Sequence, residues 1–344
     1  MIGAGLLGDL DALLDAIPSL PARRIIVSAP GIWRLHGDTL PKSLRREAAI
    51  LVPDGEKNKT LAMAARIYDG LVKAEADRAT TLIAFGGGVI GDMAGFAAAT
   101  YLRGIPCVQV PTTLLSQVDS AIGGKVGVNH TLGKNLIGAF HQPAAVISDP
   151  WPLGTLPRRE FRSGLYEVVK YGVIASRDLF NRVLTTLPAI FAREPEAIEP
   201  IIAESSRIKA AVVESDEKES GPRRVLNFGH TAGHALEAIT KYRRFRHGEA
   251  IAYGMLVAAE LAVARKSLDP ADRGALASLI THMGPLPPIA DLPASQASDA
   301  IRRDKKVIAG KLHFVLPVGI GRVEIVDDVS QRELVRAMRA VGMR

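Results

Sequence analysis

The sequence predicts an α/β domain with a parallel sheet over residues 1–150, followed by an all-α domain over residues 151–344. Short apolar runs alternate with helical patterns up to Pro150, as in a parallel sheet joined by helices. Beyond Pro150 the strand signal nearly disappears and long helical patterns dominate. At 344 residues the chain is long enough for two such domains. We therefore expect a cleft between them.

The elements of the first domain are short apolar runs and one amphipathic helix. Arg24–Ser28 (R-I-I-V-S), Thr80–Phe85 (T-T-L-I-A-F) and Cys107–Val110 have the length and composition of buried strands. Thr60–Ala74 has the period of an amphipathic helix. Strands that read as continuous apolar runs are typical of a parallel sheet covered on both faces.

The second domain reads as a series of helices with one hairpin near the end of the chain. Pro200 suits the first turn of its helix, where a missing N–H has no consequence. The hairpin is predicted at Leu312–Leu316 and Arg322–Val326. The helical patterns are Glu160–Ile174, Pro200–Asp216, His230–Thr240 and Glu249–Arg265.

Composition restricts the class of protein. Hydrophobic residues make up 47% and charged residues 23%, as in soluble globular proteins. No apolar stretch reaches 18 residues, and Asp9 interrupts the short apolar start, so neither a membrane span nor a signal peptide is expected. The single cysteine, Cys107, excludes an internal disulfide framework. The cytoplasm is the expected compartment.

The net charge of +7 has two interpretations. The segment K-Y-R-R-F-R-H (Lys241–His247) mixes basic and aromatic residues, as nucleic-acid surfaces do. The segment is short, however, and the remaining charge is spread along the chain. Solvated or paired surface charge is therefore favoured over nucleic-acid binding.

A glycine-rich turn follows the strand T-T-L-I-A-F. Gly86, Gly88 and Gly91 in G-G-G-V-I-G-D satisfy the G-x-G-x-x-G pattern of a Rossmann-like dinucleotide site. Glycine lets backbone N–H groups approach a pyrophosphate at a helix N-terminus. The acidic residue usually found about 20 residues later is missing, since that stretch reads V-P-T-T. A turn that serves packing alone is an equally good interpretation.

Polar residues then cluster in two glycine-rich segments that read as loops. Lys125 and Lys134 are flanked by glycines, with Asp119 and Asn135 close in sequence. Lysines in such loops supply point charges for phosphate. Arg223 and Asn227 precede the helix of His230, and Asn227 would share its stripe with His230 and His234 if that helix began early enough.

One carboxylate and three imidazoles have the spacing of a metal site. Glu167, His230, His234 and His247 are ligand types that suit a zinc-like ion. His230 and His234 share a face of a helix, and Lys170 would place a cation beside the metal, which suggests an anionic substrate. Thr231 stands where a zinc protease needs glutamate, so peptide hydrolysis is a poor interpretation. The alternative is a set of satisfied structural histidines.

Together these motifs resemble the 3-dehydroquinate synthase family of the sugar phosphate cyclase superfamily. The motifs occur in the family's order and span roughly Pro53 to Gly321. They are G-G-G-V-I-G-D, V-D-S-A-I-G-G-K, L-G-K-N-L-I-G-A-F, E-V-V-K-Y-G, L-N-F-G-H-T-A-G-H-A-L-E, H-G-E-A-I-A-Y-G-M and D-K-K-V-I-A-G-K-L-H-F-V-L-P.

The resemblance implies a phosphorus–oxygen lyase of the shikimate pathway, which leads to chorismate and the aromatic amino acids. Such an enzyme converts 3-deoxy-D-arabino-heptulosonate 7-phosphate to 3-dehydroquinate and phosphate. The implied steps are transient oxidation by NAD, phosphate elimination, re-reduction, ring opening and aldol cyclisation. The implied cofactors are NAD and one zinc or cobalt ion, the implied assembly is a homodimer, and the implied active site lies in the cleft.

The resemblance also assigns residues to roles. The implied metal ligands are Glu167, His230 and His247, with His234 supporting them or contacting the substrate. Arg103 is implied to reach the substrate phosphate of a partner subunit. The implied substrate contacts are Asp119, Lys125, Lys134, Asn135, Lys170, Lys209, Arg223, Asn227 and one of Lys305 and Lys306. The implied NAD contacts are Glu56, Lys59, Gly86, Gly87, Gly88, Asp92, Thr112 and Thr113, with Asp119, Lys125 and Lys134 nearby.

Two departures and two alternatives accompany the resemblance. Ala29 stands where many members carry an acid, so we expect weaker NAD binding, and the first strand of the family is short or absent here.

One alternative is another cyclase of the superfamily, which makes an inosose or a valiolone. The other is a metal-dependent polyol dehydrogenase, which would not need so many lysines around its metal.

Overall fold

The computed structural model describes residues 1–46, 49–219, 221–303, 307–308 and 311–344. The chain divides into two compact units. Unit 1 comprises Met1–Pro157 and Arg193–Ser206, and unit 2 comprises Arg158–Ala192 and Arg207–Arg344. These units are defined by contacts and not by independent folding, so the domain boundary at residue 150 stays a prediction.

Unit 1 is built on a parallel sheet of five strands in the order β2-β1-β3-β4-β7. This confirms the predicted parallel sheet, and the strands predicted at Arg24, Thr80 and Cys107 are all present. The strands of unit 1 are β1 (Arg23–Ser28), β2 (Ile50–Leu51), β3 (Thr80–Gly86), β4 (Cys107–Pro111), β5 (Lys125–His130), β6 (Gly133–Phe140) and β7 (Ala145–Val146).

Successive residues of the central strands pack on opposite faces of this sheet. Leu82 and Ala84 of β3 belong to one buried apolar cluster, whereas Ile83 and Phe85 belong to another. Because side chains alternate along a strand, a strand buried on both faces reads as an uninterrupted apolar run. The helices of unit 1 that precede residue 157 are α1 (Leu10–Asp15), α2 (Pro30–His36), α3 (Leu61–Lys73) and α4 (Gly88–Thr100).

The glycine-rich segments around Lys125 and Lys134 differ from the prediction. They form strands β5 and β6, which pair antiparallel as a hairpin, and not loops. Gly127 and Gly138 face each other across it, and a Cβ on Gly138 would lie 2.3 Å from the Val126 carbonyl oxygen. The glycines therefore allow close pairing of two strands here. At the start of the chain, where a short or absent strand was expected, Ile2 forms one isolated parallel bridge with Ser148.

Unit 2 is mainly helical, as predicted. Helix α7 runs through both units, because residues 195–206 belong to unit 1 and residues 207–215 to unit 2. The remaining helices are α5 (Arg158–Ala175), α6 (Arg177–Ala192), α7 (Pro195–Ser215), α8 (His230–Ile239), α9 (His247–Ala264), α10 (Pro270–His282), α11 (Ala294–Arg303) and α12 (Gln331–Ala340). The strands are β8 (Val307–Ile308), β9 (Lys311–Leu312), β10 (Phe314–Gly319) and β11 (Arg322–Val326).

Two boundaries in this part of the chain were predicted wrongly. Helix α7 begins at Pro195, so this proline occupies the first turn and Pro200 lies inside the helix. The hairpin β10–β11 begins at Phe314, because the preceding strand, β9, pairs with β8 instead. Among the helices that the structure describes, none has the length and apolarity needed to cross a membrane.

Candidate active site

Three helices of unit 2 bring Glu167, His230 and His247 together. Glu167 lies in the middle of α5, and the two histidines are the first residues of α8 and α9. The Nε2 atoms of His230 and His247 each lie 3.7 Å from Oε1 of Glu167. One ligand atom from each residue falls within 4.8 Å of the other two. Three side chains of these types match the donor sets that hold catalytic zinc in proteins.

A pair of glycines places the start of α8 against α9. Gly229 has a φ of +78°, which favours glycine. A Cβ on Gly229 would lie 2.8 Å from Cγ of Met255, and one on Gly254 would lie 1.8 Å from the carbonyl oxygen of Gly229. Because only glycine permits this approach, His230 is held next to α9.

A third glycine fixes the start of α9 on α5. The Gly248 N–H donates to Oγ of Ser163 at 2.9 Å, and a Cβ on Gly248 would lie 2.0 Å from the Ser163 carbonyl oxygen. Ser163 stands one turn before Glu167 on α5. This contact therefore sets the position of His247 relative to Glu167.

Glu249 reinforces the same junction. Its carboxylate is fully buried and accepts two hydrogen bonds from Arg159, both at 2.7 Å, and one from the Arg246 N–H at 2.8 Å. Arg162 lies 3.3 Å from the same carboxylate. Burial alone would raise the pKa of Glu249, but the hydrogen bonds from Arg159 and Arg246 outweigh burial and hold the pKa below its usual range. The start of α9 is thus tied to α5 by charge as well as by packing.

The Glu167 carboxylate suits an ion. Both of its oxygens are buried; Lys170 Nζ lies 2.5 Å from Oε2, whereas Oε1 accepts no hydrogen bond. A buried carboxylate requires compensation, which a divalent cation provides. His230 Nδ1 lies 3.1 Å from the Phe228 carbonyl oxygen. Because a carbonyl only accepts, Nδ1 carries a proton, so Nε2 is the nitrogen that can bind an ion. The residues present therefore fit a divalent metal.

A second group of possible ligands adjoins the first. His234, Glu237 and His247 also offer ligand atoms within 4.8 Å of one another, and in the described part of the chain these two groups are the ones found. The His230 and His234 rings meet edge to face, with centroids 5.3 Å apart. Sequence analysis did not single out Glu237. The signal was its position seven residues after His230, which puts both on one face of α8.

Other predicted substrate residues of unit 2 lie on neighbouring elements. Lys209 is buried on α7. Arg223 is buried on a short 3-10 helix, Pro222–Asn227, that packs against α5, and it donates to the Glu217 carbonyl oxygen. Asn227 ends that 3-10 helix, and its Nδ2 donates to Oε1 of Glu219 at 2.8 Å. Because α8 begins at His230, the expected stripe shared by Asn227 and the histidines does not form. Lys305 and Lys306 lie outside the described residues.

In unit 1, four of the predicted residues form a hydrogen-bonded network. Lys59 is buried, and its Nζ donates to Asp92 and to Oδ1 of Asn135, the latter at 2.5 Å. Asn129 joins the network: it donates to Oε1 of Glu56 at 2.7 Å, and its Oδ1 accepts from the Asn135 N–H at 2.9 Å. Sequence analysis missed Asn129, which holds Glu56 and Asn135 together.

The glycine-rich turn lies at the carboxyl end of β3, beside the predicted threonines. The Thr112 N–H donates to the Gly86 carbonyl oxygen at 2.9 Å, and a Cβ on Gly87 would lie 3.1 Å from Cγ2 of Thr113. Gly88 is the first residue of α4, and a Cβ there would lie 2.8 Å from Oγ of Ser120. The turn is tightly packed and also presents a helix N-terminus, the arrangement that accommodates a pyrophosphate.

The structure does not bring all the predicted polar residues together. Lys125 pairs with Phe140 at the open end of the β5–β6 hairpin, whereas Lys134 lies next to its turn. Asp119 belongs to a separate π-helical turn, Ser116–Ser120. Arg103 is exposed after α4, with a φ of +68°. Lys134 precedes Asn135 in the sequence, and Asn135 belongs to the Lys59 network.

The basic segment Lys241–His247 is partly neutralised. Arg244 forms two hydrogen bonds with Asp291, at 2.6 and 2.8 Å, and Arg246 lies 2.6 Å from Glu160. Two of its arginines therefore have carboxylate partners, which supports the interpretation of the segment as paired surface.

The chain is similar in sequence to proteins of one known family. Family models described as 3-dehydroquinate synthase N-terminal and C-terminal match residues 49–163 and 164–307. The 3-dehydroquinate synthase of Solibacter usitatus is 45% identical over 94% of this chain and 91% of its own length. The chain belongs to the 3-dehydroquinate synthase family. A second family relative, the 3-dehydroquinate synthase of Pelotomaculum thermopropionicum, is 47% identical over 98% of this chain and 92% of its own length.

Solved structures of related cyclases share the fold. A 2-epi-5-epi-valiolone synthase from Streptomyces hygroscopicus, with NAD⁺ and Zn²⁺ bound, has a TM-score of 0.87 and 29% identity, covering 96% of this chain and 92% of its own. A 2-deoxy-scyllo-inosose synthase complexed with carbaglucose-6-phosphate, NAD⁺ and Co²⁺ has a TM-score of 0.85 and 26% identity, covering 98% of this chain and 95% of its own. A probable glycerol dehydrogenase from Sinorhizobium meliloti, 16% identical with a TM-score of 0.65, shares the fold alone.

Proposed function

We propose that this chain is a 3-dehydroquinate synthase that converts 3-deoxy-D-arabino-heptulosonate 7-phosphate to 3-dehydroquinate and phosphate. The observation that carries the proposal is the buried Glu167 carboxylate with two imidazole Nε2 atoms 3.7 Å away. It occurs in a chain 45% identical, over 94% of its length, to a protein of that activity. The proposed protein is thus a phosphorus–oxygen lyase that depends on NAD and a divalent metal.

In this proposal Glu167, His230 and His247 hold the divalent ion, and the network of Lys59, Asp92 and Glu56 anchors NAD beside the glycine-rich turn. The chemistry that the bound groups supply is hydride acceptance and return by NAD and polarisation of substrate oxygens by the ion. Ala29 is buried at the residue before α2 and offers no carboxylate to a ribose, so we expect weaker NAD binding.

Cationic residues of the chain bind and orient the anionic substrate. Lys170 is almost fully buried, and at 2.5 Å from Glu167 it keeps a positive charge beside the metal ligands. Arg223 offers a fixed fork of donors suited to carboxylate or phosphate. His234, whose ring contacts that of His230, is a proposed substrate contact. Further proposed substrate contacts are Asp119, Lys125, Lys134, Asn135, Lys209 and Asn227.

A homodimer is part of the proposal. Arg103 is exposed and follows Leu102, and both residues have positive φ, 68° and 50°. Such strained pairs persist where function requires the geometry. Exposed Leu136 and Phe140 on β6 add apolar surface in the same unit. We propose that Arg103 serves the partner subunit's substrate, and we keep the cytoplasm as the expected compartment.

The deciding experiment measures phosphate release from 3-deoxy-D-arabino-heptulosonate 7-phosphate, with the carbocyclic product identified by mass spectrometry. We expect 3-dehydroquinate with catalytic NAD, and none after chelation or with Glu167→Gln. Glu260→Gln, on α9 but paired with Arg273, is the matched control and should retain activity. The substrate assignment is wrong if the protein processes only a heptulose phosphate without a carboxylate, or a hexose phosphate.

Mixing inactive subunits tests the assembly. Arg103→Ala and Glu167→Gln proteins, each inactive alone, should regain activity when unfolded together and refolded as mixed dimers. The Arg103→Ala subunit keeps its metal ligands and receives the arginine of its partner. No recovery in mixtures whose hybrid dimers are demonstrated by mass spectrometry would exclude this role of Arg103.

A further inference from the structure

The His247 ring lies between two buried carboxylates. Its Nε2 is 3.7 Å from Oε1 of Glu167, and its Nδ1 is 3.6 Å from Oε2 of Glu237. Glu167 is fully buried and Glu237 nearly so. Glu237 comes from the last turns of α8, and His247 from the start of α9, which packs on α8. The two nitrogens of one ring therefore have different partners on opposite sides.

His230 shows the same arrangement with a different outer partner. Its Nδ1 lies 3.1 Å from the Phe228 carbonyl oxygen, and its Nε2 faces Glu167. In metal sites the second ring nitrogen of a ligand histidine usually donates to a carbonyl or a carboxylate, which fixes the tautomer and the ring orientation. Glu237 occupies the corresponding position beside His247, at 3.6 Å and thus a few tenths of an ångström beyond hydrogen-bond distance.

The competing interpretation makes Glu237 itself a ligand, together with His234 and His247. A neutral imidazole has one nitrogen with a lone pair and one with a proton, so an ion on one side leaves the other side to donate. The Glu167 side is the better one for the ion, because Glu167 is fully buried and its Oε1, which faces both imidazoles, accepts no hydrogen bond. The Nδ1 proton of His247 then points toward Glu237.

We propose that Glu237 is a positioning residue, which accepts the Nδ1 proton of His247 and thereby directs Nε2 toward the metal. Its side chain does not touch the ion. Removing it leaves all three ligands in the chain but releases the ring of one of them. The expected loss is about 10- to 100-fold in metal affinity, as for other outer partners of ligand histidines. This inference rests on the proposed metal site and is independent of the sugar substrate.

The test is a titration of the metal-free full-length protein with Co²⁺, followed by visible absorption and calorimetry. Wild type should bind one ion. Glu237→Ala should bind one ion with a Kd about 10- to 100-fold higher. Glu237→Gln, whose amide oxygen still accepts a hydrogen bond, should recover most of that affinity. Far-UV circular dichroism establishes that each variant is folded, and Glu260→Gln should match the wild type.

Three results would overturn the proposal. An unchanged Kd for Glu237→Ala would mean that Glu237 does not act on His247. Two ions in wild type and one in Glu237→Ala, or a loss as complete as that of Glu167→Gln, would make Glu237 a ligand. Equal losses for the Ala and Gln variants would point to charge and not to hydrogen bonding. Failure of the sugar assay would leave the Co²⁺ titration unaffected, so the two proposals fail separately.

Discussion

Replacing Gly248 by alanine tests how the two ligand-bearing helices are held. The new Cβ would lie 2.0 Å from the Ser163 carbonyl oxygen and 2.7 Å from its carbonyl carbon, both backbone atoms that cannot turn aside. Carbon and oxygen normally approach no closer than about 3.3 Å, so α5 and α9 must separate by roughly 1 Å. Overpacking of a close-packed core costs about 1–3 kcal/mol, and a backbone clash belongs at the upper end. We therefore expect a loss of about 3 kcal/mol.

The assay is urea denaturation followed by far-UV circular dichroism, together with the Co²⁺ titration. Gly274→Ala is the matched control, because Gly274 lies inside helix α10 with nothing within 4 Å of the added Cβ. That variant should gain about 0.5–1 kcal/mol from the helix propensity of alanine. Gly248→Ala should also bind Co²⁺ at least roughly tenfold more weakly, since His247 is its neighbour. A Gly248→Ala protein that is as stable as wild type and binds Co²⁺ equally well would refute the reasoning.

Three further predictions concern single side chains. Glu249→Gln leaves two arginines around a buried neutral amide, so the free energy of unfolding measured by urea denaturation should fall by about 3 kcal/mol. The control Glu260→Gln should lower it by less than about 1 kcal/mol. Equal losses in the two variants would contradict this prediction. Arg265 lowers the pKa of Glu333 to about 2. The partly exposed ion pair between the two side chains therefore stabilises the fold above about pH 4.5, and this stabilisation is lost as the pH falls toward 2. The free energy of unfolding of wild type should exceed that of Glu333→Gln by about 1 kcal/mol or less at neutral pH, and this difference should vanish between about pH 4.5 and 2. A difference that does not change with pH would contradict a stabilising ion pair. Burial raises the pKa of Cys107 to about 12, so a thiol reagent at pH 8 should modify it only after unfolding, and rapid labelling of the native protein would exclude a buried thiol.

The parallel sheet could be predicted because its central strands β1, β3 and β4 are buried on both faces. The strand predicted at Thr80–Phe85 differs from β3 by one residue, Gly86. The hairpin β5–β6 could not be predicted in the same way, since its glycines and lysines resemble a loop in sequence. Strand pairing there depends on close contact between two backbones, which a single-sequence pattern does not report.

The sequence indicated which residues would form the candidate metal site, and the structure brings Glu167, His230 and His247 together, but their arrangement could not be predicted. Spacing alone placed His230 and His234 on one helical face, and the choice of His230 and not His234 as a ligand stays a prediction from the resemblance to the family. The position of Glu237 against Nδ1 of His247 could not be predicted, because the two residues come from different helices. Such a contact depends on how α8 packs on α9, which the glycines at 229 and 254 determine.

The path of helix α7 has a consequence for how the protein is made. Unit 1 is completed only by Arg193–Ser206, yet Arg158–Ala192, which belongs to unit 2, is synthesised first. The Ser206 hydroxyl donates to the Gln117 carbonyl oxygen, and the Ala4 N–H donates to Glu199, so the late segment bonds to early parts of the chain. A nascent chain that ends at residue 157 therefore lacks part of its first unit. On the ribosome, unit 1 can therefore be completed, and these two hydrogen bonds formed, only after residues 193–206 have emerged.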